Sequence, residues 1–273
     1  HESTLSDLDF FLEIVAQPFF FPNLYLSNKS FALASDNGVS LVMNGNDGDT
    51  VFSHGYEYLL ELFFSLKWMR LYKEIHIISI VNSLPKKFIF RRVIFEKLSL
   101  RNFQNRSAQL QHLKNISTSN HSKAIEIQSL LANHYGIEER YPFYNRELIE
   151  YCLNISPFLK HKDGYSRYAL REAIKGVVPE KIRKRKTKSN LGHALCLSFV
   201  KKDFQIIDEH LNNPEDIINE FIDIGDLRKS WIKLKQNPIK YARGSVVPSK
   251  LFSYVVLNRW LGIHRHKNLK IIP

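Results

Sequence analysis

The stretch Val42-Met-Asn-Gly-Asn-Asp-Gly-Asp-Thr-Val-Phe-Ser-His-Gly55 concentrates residue types that handle phosphate and metal. Gly45 and Gly48 permit a tight turn and close backbone approach, Asn44 and Asn46 favour turns, and Asp47 and Asp49 add carboxylates. Exposed N–H groups in such a turn suit a phosphate, and the neighbouring acids suit the divalent cation that a phosphate brings with it. Two cationic regions complement it. Arg140 lies in Gly136-Ile-Glu-Glu-Arg-Tyr-Pro-Phe-Tyr-Asn145, where Pro142 holds the preceding residue extended and so fixes a charge on a non-helical segment. The densest basic run, Lys181-Ile-Arg-Lys-Arg-Lys-Thr-Lys188, leads into the turn residues Ser189-Asn190-Leu191-Gly192. Cations on a turn can close over a phosphate, and a merely solvated basic tract is the competing reading. No glycine-rich nucleotide fingerprint occurs in the chain, so a nucleotide bound here needs another loop to hold most of it.

The acidic turn is expected between a buried strand, Val39 to Met43, and a long amphipathic run from Tyr56 to about Leu71. That is the usual ligand position in an open α/β sheet, at the carboxyl end of a strand. A helix over Leu24 to Ala34, stopped at Asn37-Gly38, precedes the strand and completes half of a βαβ unit. Apolar residues at 5, 8, 11, 12 and 15 predict an earlier helix that Pro18 stops. Phe19, Phe20 and Phe21, set between prolines, are expected in the core. Beyond residue 56 the pattern is almost wholly helical: a core helix or helix pair to Ser83, a break at Leu84-Pro85, and a basic amphipathic stretch over 86 to 115. A polar loop from Ser117 to Ser122 and helices over Lys123 to Tyr135, Arg146 to Ile155 and Tyr165 to Ile174 follow.

With 273 residues, 44% of them hydrophobic, the chain can bury a sizeable core. A net charge of +12 directs attention to nucleic acid, anionic surfaces or phosphorylated substrates, although a Lys-rich genome composition accounts for part of it. Cys152 and Cys196, both in apolar helical runs, read as buried thiols of a reducing compartment, which makes the cytoplasm the expected location. No apolar run reaches the roughly 18 residues of a membrane span.

Taken in order, the strand, acidic Gly turn, helices, Gly-Ile-Glu-x-Arg-x-Pro-Phe, Lys-x-Lys-Asp-Gly, Arg-Glu-Ala, Pro-Glu-x-Ile and Lys-bearing loop resemble the synthetase domain of the asparagine synthetase family. Within it, the loop Arg185-Lys-Thr-Lys-Ser-Asn-Leu191 is similar to that of the lasso-peptide macrolactam cyclase branch. The blocks at 41 to 56 and 136 to 192 carry most of the likeness. The resemblance implies an α/β fold of the adenine-nucleotide alpha-hydrolase type (the PP-loop ATP pyrophosphatase fold), truncated at its amino end, so predominantly helical with a short parallel sheet remnant. Residues 1–55 would be the remnant of the nucleotide-binding core and 56–273 the mainly helical part of one partial synthetase domain.

It also implies ATP-dependent amide formation with ATP and Mg²⁺. ATP adenylates a carboxylate (aspartate, or a peptide Asp or Glu side chain), and ammonia or an amine then displaces AMP. A glutamine amidotransferase domain or a peptide-processing protein would be a partner. By position Asp49 falls on the acid of the metal and pyrophosphate, with Gly45 and Gly48 in the same cofactor-binding turn. Lys188 falls on the loop lysine that stabilises the adenylating transition state, and Arg140 on an arginine that organises the site. Asn46 stands where the family carries a catalytic Glu, and an amide cannot accept a proton as a carboxylate does. Asp47 is the expected substitute. Thr50 and Asn145 replace acids as well. The family's Ser-Gly-Gly-x-Asp-Ser ATP loop would lie upstream of His1, so this chain reads as a carboxy-terminal piece, inactive alone. The alternative is a non-catalytic basic module, or a decayed synthetase, that docks an acidic peptide, a partner subunit or nucleic acid.

Overall fold

The computed structural model describes residues 3–95, 107–185, 191–242 and 246–264. These are mostly helical, with one short parallel sheet of two strands and one small hairpin. They form two compact units that interleave along the chain: residues 1–42, 124–138 and 188–273 in the first, 43–123 and 139–187 in the second.

The first unit is built on the helix Val247–His264. Leu251, Phe252, Tyr254, Val255, Val256 and Asn258 are all buried, and a helix with apolar residues on every side needs neighbours on every side. Leu8–Val15 lays Leu8, Phe11, Leu12 and Val15 into the same core and ends at Ala16 in the left-handed region, two residues before Pro18. Phe19 is buried there, whereas Phe20 is exposed and Phe21 only partly covered, so one of three aromatics plugs the core. Leu24–Asp36 extends slightly past its expected end and stops at Asn37-Gly38, with Gly38 at φ 70°. Gly192–Lys201, Phe204–Asn212 and Ile224–Gln236 belong to the same unit, as do Ile127, Leu131 and Ala132 of its core.

Strand β1 is Leu41–Met43 and β2 is Glu138–Arg140. Glu138 N donates to Ser40 O at 2.8 Å and Asn44 N to Arg140 O at 2.7 Å. The expected strand is therefore present but short, and it is not buried: Met43 is 72% exposed and Val39 41%. Among the described residues β1 has a single neighbouring strand, which leaves its apolar side chains only partly covered.

In the second unit the long apolar run divides into Glu57–Phe64 and Trp68–Asn82. Tyr58, Leu59, Leu60 and Leu62 pack with Leu71, Ile75 and Ile78, and Lys86–Phe90 followed by a π-helical turn, Arg91–Phe95, adds Ile89, Val93 and Ile94. Lys97, Arg101 and Arg106 of the basic stretch lie outside the described residues. Ala108–Ile116 follows, and the next helix, Ser119–His134, starts where a polar loop is expected. The hydroxyl-rich segment is helix-start chemistry, not an open loop. A second correction falls at 165. β3 (His161–Lys162) and β4 (Tyr165–Ser166) form an antiparallel hairpin before the helix Tyr168–Ala173 begins. Its turn, Asp163-Gly164, has φ of 53° and 78°, the two left-handed residues that a tight hairpin requires.

Candidate active site

The acidic turn lies in the second unit and is shaped by its own amides. Asn44 Oδ1 accepts from Asn46 N at 2.8 Å, an Asx turn, while Asn44 Nδ2 donates to Glu139 Oε1. Asp47 adopts φ 58° and its carbonyl accepts from Thr50 N and Val51 N at 2.8 and 2.9 Å, which opens the short helix Gly48–Val51. Gly48 is buried under Phe143: a Cβ there would lie 2.8 Å from the ring. Gly45 stays exposed, with the same ring 3.9 Å from where its Cβ would be. Phe143 owes its place to the 3₁₀ turn Pro142–Tyr144, so the Tyr-Pro-Phe-Tyr segment is what braces the glycines.

The two carboxylates have different partners. Asp47 accepts from Tyr144 OH at 2.8 Å on Oδ2 and pairs with His121 Nδ1 at 2.8 Å on Oδ1. Burial, helped by Asp47, pushes the Tyr144 hydroxyl well above the usual phenol range, so it stays a donor. Asp49 is ion-paired with Arg167, whose backbone sits at φ 56° and whose buried Nε has no acceptor among the described residues. Asp49 also borders an open cavity of about 270 Å³ lined by Thr50, Ser53, His54, Glu57, Asn115, Thr118 and His121 as well. Glu57 accepts from Ser53 Oγ at 2.8 Å and Asn115 Nδ2 at 3.0 Å.

Behind the turn is a buried cationic support. Lys160, 3% exposed, donates to His112 Nδ1 at 2.9 Å, and His112 Nε2–H therefore donates to Thr50 O at 2.9 Å. Burial lowers the pKa of both groups, and the Lys160 charge lowers that of His112 further, which keeps the imidazole neutral.

Of the residues expected at the site, Asn46, Asp47, Gly45, Gly48 and Asp49 share one turn. Arg140 joins through its backbone, as the acceptor of the Asn44 amide, with an exposed side chain at the end of β2. Lys188 lies outside the described residues. The segment leading to it is held by Arg171, whose guanidinium donates to the carbonyls of Ser166 (2.9 Å), Arg185 (3.0 Å) and Arg183. Asn145 caps the helix Arg146–Asn154 by accepting from Leu148 N at 3.0 Å, a role in which Asn and Asp are equivalent. His121, Arg167, Glu57 and His112 were not singled out by the sequence. Lys160 and Tyr144 lie in quoted blocks, Lys-x-Lys-Asp-Gly and Gly136 to Asn145, but neither was given a role in the site.

A family model described as asparagine synthase matches residues 2–261. The chain belongs to the asparagine synthase family. No curated relative and no solved structure matches it. Family membership points to ATP-dependent amide-ligase chemistry in general. No helix among the described residues is long and apolar enough to cross a membrane. Cys152 and Cys196 are both buried and unpaired, as expected.

Proposed function

We propose that the chain carries the synthetase chemistry of an amide ligase that activates a carboxylate as an acyl-adenylate, releases pyrophosphate, and passes the acyl group to ammonia or an amine with loss of AMP. The ion pair of Asp49, which borders the cavity, with Arg167 carries this reading. A guanidinium with a buried, unmet N–H beside a carboxylate can take a phosphate oxygen on one side and keep the acid charged on the other. The residues fit Mg²⁺ in the manner usual for phosphate substrates, through one or two carboxylates with the phosphates supplying other ligands. Among the described residues no group of three or more His, Cys, Asp or Glu could hold a metal by itself. Asp49 would hold the ion, which when bound supplies positive charge to the departing pyrophosphate.

The other assignments follow their places in the turn. Gly45 and Gly48 give the nucleotide close approach to the backbone, Arg140 orders the turn through its carbonyl, and Lys188 neutralises charge on the transferring phosphate. Asn46 hydrogen-bonds to substrate and does not move a proton. We place the fold with the PP-loop ATP pyrophosphatases, on the family match and on the parallel pairing of β1 with β2 beside the turn. The carboxylate is aspartate or a peptide Asp or Glu. The Asp47-Gly-Asp-Thr50 turn and the Lys188-Ser-Asn-Leu191 loop favour the peptide-cyclising branch.

The test is pyrophosphate release from ATP and Mg²⁺ by the product of the complete reading frame, with candidate carboxylates. Release should fall about a hundredfold or more in Asp49→Ala and in Lys188→Ala, the scale of losing a transition-state donor. Unchanged release in both variants would refute the assignments, and failure of the wild type to bind ATP would favour a non-catalytic basic module.

A further inference from the structure

Amide formation needs a proton acceptor for the nucleophile, and an amide side chain at 46 cannot be one. The cavity beside the turn holds a different candidate. His121 lines it, with Nδ1 at 2.8 Å from Asp47 Oδ1, and Tyr144 OH steadies the other Asp47 oxygen at 2.8 Å. A carboxylate that accepts from Nδ1–H selects the tautomer whose Nε2 is bare, and it stabilises the imidazolium once Nε2 takes a proton. Nε2 of His121 has no protein partner among the described residues. The same cavity presents the carboxylates of Asp49 and Glu57, a lining that attracts a small cation, and an ammonium fits beside Glu57.

We propose that His121, oriented by Asp47 and Tyr144, is the general base for the amine substrate, and that this cavity is where the ammonium or primary amine is bound and deprotonated. This rests on the amide-ligase reading. The bound ammonium first gives one proton to His121 Nε2, which frees the nitrogen lone pair. The nitrogen then attacks the acyl carbon of the adenylate and forms the new N–C bond, the C–O bond to AMP breaks with its electron pair leaving on the phosphate, and the second proton, lost from the nitrogen after attack, goes to solvent. The imidazolium then returns its proton to solvent. His121 is the catalytic residue in this step, and Asp47 and Tyr144 are positioning residues.

The experiment compares wild type, His121→Gln and Asp47→Asn, made from the complete reading frame, in two half-reactions: carboxylate-dependent exchange of labelled pyrophosphate into ATP, and amide formation from ammonia or from hydroxylamine. The ratio of ammonia-derived amide to exchange should fall about a hundredfold in His121→Gln, the low end for a lost general base. The loss should be much smaller with hydroxylamine, which is already neutral near pH 7 and gives up no proton before attack. Asp47→Asn should show the same ammonia-selective loss, and nitrogen NMR of the His121 ring at about pH 8 should show it switching away from the Nδ1–H form of the wild type. An unchanged ratio in His121→Gln, equal losses with both nucleophiles, or a wild-type ring protonated at Nε2 would overturn the proposal while exchange leaves the ligase reading intact. Absence of exchange in the wild type with every carboxylate offered would overturn the ligase reading and the base assignment together.

Discussion

An imidazole's chemistry is decided by what surrounds its two nitrogens, and the histidines of the second unit occupy opposite extremes. His121 faces a cavity with a carboxylate on one nitrogen. His161 is fully buried, neither ring nitrogen has a hydrogen-bond partner among the described residues, and burial pushes its pKa down to about 4. Above the ordinary histidine pKa of 6.5 the ring is neutral in both folded and unfolded chains and contributes no pH dependence. As pH falls below that value the unfolded chain takes a proton and the folded one does not, so stability declines until about pH 4, where the folded ring titrates too. The decline amounts to roughly 3 kcal/mol. Urea melts at pH 7 and about pH 4.5 should therefore differ by much less in His161→Leu than in the wild type; equal slopes would mean that the ring is solvated. Gly48 makes a complementary point about size. Gly48→Ala would press a methyl onto Phe143, and because that ring is braced by Pro142 the adjustment must come from the turn. A loss of roughly 1 to 3 kcal/mol is expected in a thermal or urea melt.

At the scale of elements, the most consequential joint is the one that ties the start of the chain to the helix pair Gly192–Lys201 and Phe204–Asn212. Asp203, fully buried, accepts from Thr4 N at 3.1 Å, Leu5 N at 3.3 Å and Ser198 Oγ at 2.6 Å, and also from Ser3 Oγ. It thereby fixes the segment that leads into Leu8–Val15. Asp203→Ala leaves several buried donors unmet and should cost at least roughly 3 kcal/mol. Amide hydrogen exchange is the discriminating measurement: protection should drop over 8–15 and 192–201 while the helices 57–64 and 68–82 keep theirs. Little of this joint is legible in the sequence. The helices themselves are, since apolar spacing and the stops at Pro18 and Asn37-Gly38 follow from local chemistry. The Asp163-Gly164 hairpin was equally local, yet its two-residue strands are too short to show alternation and they merge into the helix that follows. An anchor supplied by a residue about 200 positions away has no local signal at all.

For the molecule as a whole, the same distinction explains what the candidate site disclosed. The acidic turn announced itself through Gly and Asx crowding, and the order of the family blocks singled out Asp49, which lies in that turn, and Arg140, whose carbonyl reaches it. The groups that complete the site in space did not, because His121 sits in a segment whose serines and threonines read as loop, and Arg167 reads as one cation among many. Interleaving of the two units is invisible for the same reason, being a property of long-range packing. It has a bearing on synthesis. The second unit can be complete once residue 187 has left the ribosome, but the first cannot close until the far later helices appear. Ser3 waits for an Asp203 that is 200 residues behind it, which at ordinary translation speeds is roughly 10 to 40 s. For that interval Phe11, Leu12 and Val15 lack the later helices that complete their core, and a nascent chain of this protein carries an apolar helix that needs shelter before its fold can close.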